Sequence, residues 1–189
     1  MDIKSFKASF DKKGLARNNL FKVAFPTFTA LPDITAEQLN FMCKNVNLPG
    51  RSMSVNERVI GIPKAEKVVN GFLIDDIQMT FMMTNSYEAK RYFDYWTGLT
   101  MDFNTYELKY KYGTTPGTGF TSGYTRGVNI SQFNQRNQII YECTLIDAFP
   151  TLVNAIEFTN EQGGLTELTV QLSYNNWKGK YFANEEAPV

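Results

Sequence analysis

The sequence predicts a mainly β protein, an antiparallel β-sandwich or barrel with one flanking α-helix. Three observations predict it. Several segments alternate apolar and polar residues with the period of two that places successive side chains on opposite faces of a strand. A single segment shows the i, i+3, i+4, i+7 recurrence of a helical face. Glycine, proline and serine clusters punctuate the segments as turns do. The 189 residues suffice for one well-packed core, read here as a β domain over 19–177 between an N-terminal arm, 1–18, and a C-terminal tail, 178–189.

The arm is polar, basic and poor in periodic hydrophobes, the composition of a segment that orders against a neighbour. In NLFKVAF, Phe21, Val23 and Phe25 share one face and Lys22 takes the other, and Pro26 ends this first strand. FMCKNVNL reads as a second strand, closed by the turn pair Pro49-Gly50. From Arg51 to Gly71, scattered charges with Gly61, Pro63 and Gly71 suggest a long hairpin. IQMTFMM is a third strand, with Ile77, Met79, Phe81 and Met83 on one side.

NSYEAKRYFDYWTG changes period. Ala89, Tyr92, Phe93 and Trp96 form one helical face, and Lys90, Arg91 and Asp94 form a solvated one. Asn85 and Glu88 are spaced like a capping box, and Gly98 suits a left-handed C-terminal position. NTYELKYKY predicts another strand, with Tyr106, Leu108, Tyr110 and Tyr112 facing away from Thr105, Glu107, Lys109 and Lys111. Residues 113–127, rich in glycine, threonine and serine, form a loop. A phosphate-cradling loop would need a helix directly after it and a lysine, whereas the next segment is strand-like. IIYECTLIDAF is a mostly apolar strand that breaks at Pro150. After a Gly163-Gly164 turn, Leu168, Val170, Leu172 and Tyr174 alternate with Glu167, Thr169, Gln171 and Ser173.

Little of this points to reactive chemistry. Nineteen basic and nineteen acidic residues cancel, so no overall field gathers phosphates or anionic membranes. The chain has no histidine, which removes the usual proton shuttle and the commonest metal ligand. The neighbours Asp75-Asp76 and Glu185-Glu186 point to opposite faces of an extended chain and cannot share a metal or substrate. Cys43 and Cys143 read as small buried hydrophobes rather than a disulfide. No catalytic residue, metal or cofactor is expected. The N-terminus carries no signal-peptide core and no segment has the length of a membrane span, so a cytosolic protein without a membrane anchor is expected.

What the sequence offers instead is edges. A strand-rich domain with polar arms and strands that are polar on one face can close with copies of itself into a ring, which fills the open edges.

Four stretches, LARNNLFKVAF, FMCKNVNLPG, MTFMMTNSYEAKRYFDYWTG and AFPTLVNAIEFTNEQGGLTELTVQLSYNNW, resemble in order and spacing the tail tube proteins of contractile-tailed bacteriophages. Together they make up somewhat more than a third of the chain. The resemblance is most specific at residues 77–96 and at the Pro150-Thr151-x-Val153 turn leading to Tyr174 and Trp177. It implies hexameric rings with a continuous lumenal β-barrel, stacked into a hollow tube inside a contractile sheath, through which the genome passes without sequence-specific binding. The partners it implies are other copies, the sheath protein, the tape measure protein, and baseplate and terminator proteins. The place it implies is the virion tail, assembled in the host cytoplasm.

By the family's order of elements, strands near 40–48, 58–72, 104–112 and 137–149 line the lumen, with Asn45, Asn47, Glu107, Lys109, Glu142 and Thr144 among their polar positions. A passing polyanion must not adhere, so a lumen of modest or negative potential is expected. Glu167, Thr169, Gln171 and Ser173 fall to the sheath face. The hairpin residues Arg51, Asn56, Glu57, Arg58, Lys64, Glu66 and Lys67, with the arm and the tail, are candidates for ring stacking. Two alternatives share the fold: a baseplate tube initiator or adaptor, and the tube protein of an injection system. A third is a carbohydrate-binding sandwich whose Tyr124 and Tyr181 stack on sugars.

Overall fold

The computed structural model describes residues 3–4, 16–59, 65–109, 111, 123–158 and 164–182. The strands are β1 (Phe21–Ala24), β2 (Cys43–Val46), β3 (Arg51–Val59), β4 (Ala65–Ile74), β5 (Ile77–Met82), β6 (Arg126–Phe133), β7 (Ile139–Val153), β8 (Glu167–Ser173) and β9 (Asn176–Tyr181). The helices are α1 (Ala36–Met42) and α2 (Glu88–Gly98). All pairings are antiparallel. The mainly β architecture is as expected, with two named helices among the described residues in place of one.

One layer pairs β1, β6, β7 and β9; the other pairs β7, β8, β5 and β2. Both contain β7. Residues up to Ala148 pair with β6 and β9, and Phe149–Val153 pair with β8. Pro150 therefore does not break the strand. It sits just past the corner at which β7 changes layers, where Asp147 has φ 56 and the register slips at Pro150/Leu152. Strands that switch sheets commonly do so at such bulges.

The inward rows fill the space between the layers. Val23, Ile130 and Cys143 align across one layer, and Phe81 with Leu168 and Met79 with Val170 across the other; all are buried. The α2 face predicted from its period, Ala89, Tyr92, Phe93 and Trp96, is completely buried. Phe93 meets Phe25 edge-on at 5.8 Å and Phe81 at 5.0 Å. Trp96 Nε1–H donates to the Tyr124 carbonyl oxygen at 2.7 Å, so the indole is buried with its donor paired. On the exposed side, Arg91 pairs with Asp33, and Lys90 with Asp94.

Three local expectations give way at the helices. The segment FMCKNVNL is not one strand: Phe41 and Met42 end α1, and only Cys43–Val46 is extended. Thr35 and Gln38 form the real capping box, Gln38 N–H donating to Thr35 Oγ1 at 3.3 Å and Thr35 N–H to Gln38 Oε1 at 2.8 Å. Helix α2 is not capped by Asn85. Its N-cap is Tyr87, left-handed at φ 52, with no side-chain cap. Gly98 is the last helical residue and Leu99 behind it is right-handed, so no left-handed glycine ends the helix.

The strand expected at 104–112 is absent among its described residues. Phe103–Thr105 turn on the Asp102 carboxylate, which accepts from the Asn104 and Thr105 N–H groups, and Tyr106 has φ 59. Only the Met101–Leu108 bridge closes this loop, and Tyr110 and Tyr112 lie outside the described residues. The loop predicted at 113–127 yields to strand at Arg126. Gly163 also lies outside the described residues. Strand β9 runs to Tyr181, past the point where the sequence starts the C-terminal tail.

Candidate assembly surfaces

Alternation along each strand turns the polar residues outward, and strand register sorts them into rows. On the outer face of the layer β7-β8-β5-β2, Asn45, Thr80 and Thr169 are cross-strand partners, and Gln78, Gln171 and Leu152 form the next row. Met82 stands opposite Glu167. A register shift between Cys43 and Asn45 lets Lys44 face outward too, where its ammonium meets Glu167 at 2.5 Å. Asp76 accepts from Gln171 Nε2 at 3.1 Å. Asn47 N–H donates to the Gln78 carbonyl oxygen and extends the β2–β5 pairing beyond the strand. This face is dominated by uncharged amides and hydroxyls.

The outer face of β1-β6-β7-β9 is different. Lys22, Ser131, Glu142 and Lys180 make one row, and Ala24, Asn129, Thr144 and Lys178 the next. Three lysines against one glutamate give it a basic character. The packing beneath is close at Gly179: a Cβ there would lie 3.0 Å from the Tyr141 hydroxyl and 3.0 Å from the Trp177 ring, so these side chains would have to shift by a few tenths of an ångström.

The structure therefore regroups the residues chosen from the sequence. Asn45 and Asn47 belong with Thr169, Gln171 and Glu167 on one face, and Glu142 and Thr144 lie on the opposite side of the sandwich. A lumen set and a sheath set divided as the sequence divides them do not fall on separate faces. Glu107 and Lys109 belong to neither, because their segment is the loop closed by Met101 and Leu108. Lys109 N–H donates to the Thr100 carbonyl oxygen, and Glu107 accepts at its own carbonyl from Asp102 N–H. Lys178 and Lys180 were missed; the period-two alternation of Trp177, Gly179 and Tyr181 with them is the signal that finds β9.

The third surface is the β3–β4 ribbon, which pairs with no other strand among the described residues. Its cross-strand pairs Met53–Phe72, Val55–Val69 and Glu57–Lys67 share one face, with a bulge between the first two pairs. Met53, Val55, Val69 and Phe72 are 56%, 49%, 61% and 54% exposed, a run of large apolar side chains left about half uncovered among the described residues. The Glu57–Lys67 pair at 3.9 Å lies beyond them. Asn56 and Glu66 also project from the ribbon; Lys64 and the Arg58 side chain lie outside what is described.

Arg51 belongs at the root of the ribbon. Its guanidinium donates to Asn176 Oδ1 at 2.9 Å and to the Trp177 carbonyl oxygen at 3.3 Å. It also lies 4.8 Å from the centre of the Trp177 ring and 6.0 Å from that of Phe72.

The titratable groups here are structural. Burial pushes the Cys43 thiol up to about 12. Burial, ahead of nearby Cys143, does the same for the Tyr141 and Tyr174 phenols. The Tyr174 hydroxyl donates to the Asp75 carbonyl oxygen at 2.9 Å. Both cysteines are free and buried. Among the described residues, no three His, Cys, Asp or Glu side chains converge to hold a metal, and no helix is long and apolar enough to cross a membrane.

A sequence profile described as phage tail tube protein matches residues 16–180. No curated protein sequence matches the chain. Among solved structures, a chain of the anti-feeding prophage baseplate superposes with TM-score 0.63 at 14% identity, covering 89% of this chain and 97% of that one. A chain of the anti-feeding prophage tube-terminating cap gives 0.61 at 10% identity, covering 90% and 93%. A chain of the sheath-tube complex of an extracellular contractile injection system gives 0.59 at 10% identity, covering 93% and 97%. At such identities the likeness is one of fold.

Proposed function

The chain belongs to the phage tail tube protein family, and from that premise we propose that it is a structural subunit, not an enzyme, whose hexameric rings stack into the hollow tube inside a contractile sheath. The tube conducts the genome into the host without sequence-specific contact. Its further partners are the tape measure, baseplate and terminator proteins, and it is assembled in the host cytoplasm into the virion tail.

The observation that carries this reading is the β3–β4 ribbon. Two strands alone are marginal in water, and this pair also exposes Met53, Val55, Val69 and Phe72. Both costs are removed when the ribbon lies against a neighbouring copy, its edges extending the neighbour's sheet and its apolar face covered. The two polar outer faces of the sandwich then serve as the two walls of the tube, one toward the lumen and one toward the sheath. A second reading, the tube subunit of a contractile injection system with protein cargo, is favoured by the fold shared with the injection-system chain.

Negative-stain electron microscopy of the purified chain across concentration and salt tests the proposal. Hollow tubes or stacked rings support it. Rings that never stack, even with sheath protein added, favour a baseplate adaptor; a chain that stays monomeric with sheath and baseplate proteins present refutes it.

A further inference from the structure

We propose that Arg51 is a positioning residue that fixes the direction in which the β3–β4 ribbon leaves the body, and so sets whether the subunit is ready to assemble. This rests on the reading of the ribbon as the tube's gripping element.

The ribbon joins the body through residues 47–50 and 75–76, and the two connections are held unequally. On the β4 side, Ile74 packs against the core, the Asp75 carbonyl oxygen accepts from the Tyr174 hydroxyl, and Asp76 accepts from Gln171. On the β3 side, Asn47 is tied to Gln78. Beyond it, Leu48 is half exposed, and a Cβ at Gly50 would meet nothing within 4 Å. Arg51 is the first residue after this open stretch and the cross-strand partner of Ile74.

Its guanidinium supplies the hold that the connection lacks. A single guanidinium nitrogen, Nη2, donates to both Asn176 and Trp177 of β9 while the guanidinium carbon lies over the Trp177 ring, on a strand that contributes nothing else to the ribbon's pairing. The same guanidinium lies toward Phe72, so the clamp touches the apolar run at its inner end. Without Arg51 the β3 side has no described hold on the body after Asn47, and the root depends on the β4 connection. The ribbon then twists as a unit about residues 75–76, and the orientation needed by a neighbour is populated for only part of the time, which weakens assembly in proportion.

The test labels two exposed sites with nitroxides, Asn56→Cys on the ribbon and Lys22→Cys on β1, leaving the buried Cys43 and Cys143 in place. Electron-electron double resonance on the full chain then reads the ribbon-to-body distance distribution. Arg51→Ala is expected to broaden it about twofold or more, and Arg51→Lys, which keeps the charge without the planar guanidinium over Trp177, to lie between. In unlabelled protein, Arg51→Ala is expected to raise the concentration needed for tubes about tenfold. Its thermal midpoint should stay within a few degrees of wild type, as fits the loss of one surface clamp.

An unchanged distance distribution, or broadening with no change in the assembly threshold, overturns the proposal. If wild type forms no ring or tube with any tail protein, the reading of the ribbon as a grip fails, and Arg51 as the setter of readiness falls with it. The distance distribution still decides separately whether Arg51 orients the ribbon.

Discussion

Asn45 and Thr169 stand in one row of one sheet, with Thr80 between them as the cross-strand partner of both. Their side chains share a surface. Glu142 lies on the far side of the sandwich, in the row of Lys22, Ser131 and Lys180. In a tube, Asn45→Lys and Thr169→Lys therefore affect the same partner, and Glu142→Lys affects the other. Parallel assays of sheath co-assembly and of genome delivery check this: Asn45→Lys and Thr169→Lys falling into different classes would contradict the shared face.

The apolar run on the ribbon is exposed, so charging it leaves the subunit's own core untouched. Val69→Glu is expected to abolish rings and tubes in electron microscopy, with thermal stability within a degree or two of wild type. Loss of folding instead would show that the ribbon is part of the core.

Phe93 lies at the centre of the aromatic cluster, fully buried and in contact with Phe25, Phe81, Tyr92 and Trp96. Phe93→Ala is expected to destabilise the subunit by about 3–5 kcal/mol, from lost transfer energy and the cavity left behind. Urea unfolding followed by tryptophan fluorescence measures this directly.

Thr35 accepts from the Gln38 N–H at the start of α1. Thr35→Ala is expected to cost about 1 kcal/mol, and Thr35→Asp to recover most of it, in the same unfolding assay.

The alkaline limb of the stability curve has a definite sign. Cys43, Tyr141 and Tyr174 have folded-state values raised to about 12 by burial, from ordinary values of 9.0 and 10.0. A group raised on folding contributes stability that is complete below its ordinary value and is lost as pH climbs through the folded one. The thermal midpoint is therefore expected to fall between about pH 9 and 12. Native Cys43 should resist thiol reagents near pH 8 and react only after unfolding.

Strand period was the most legible signal. The alternation at Leu168, Val170 and Leu172 and the helical stripe Ala89, Tyr92, Phe93 and Trp96 were readable because each element buries one face, and burial writes its period into the sequence. Where tertiary contacts decide, the local pattern misleads. The alternation from Thr105 to Tyr112 has the period of a strand, yet the Asp102 carboxylate captures the turn at Asn104 and Thr105 and leaves Tyr106 and Leu108 exposed. Pro150 reads as a stop because its missing N–H matters inside a sheet, but it stands where β7 changes partners. Candidate faces were harder still. Alternation tells which residues point out from a strand, whereas only register tells that Asn45 and Thr169 look the same way.

The fifteen-residue β7 belongs to both layers, and this has a mechanical meaning. The layers cannot be drawn apart by rupturing side-chain packing alone, because an unbroken backbone crosses between them at Asp147. A load that separates them has to unzip β7 from β6 and β9 on one side, or from β8 on the other, one rung at a time. If the chain serves as the tube subunit proposed above, it transmits thrust along a covalent thread, and its yield point is expected at the shorter of the two ladders, Phe149–Val153 against β8.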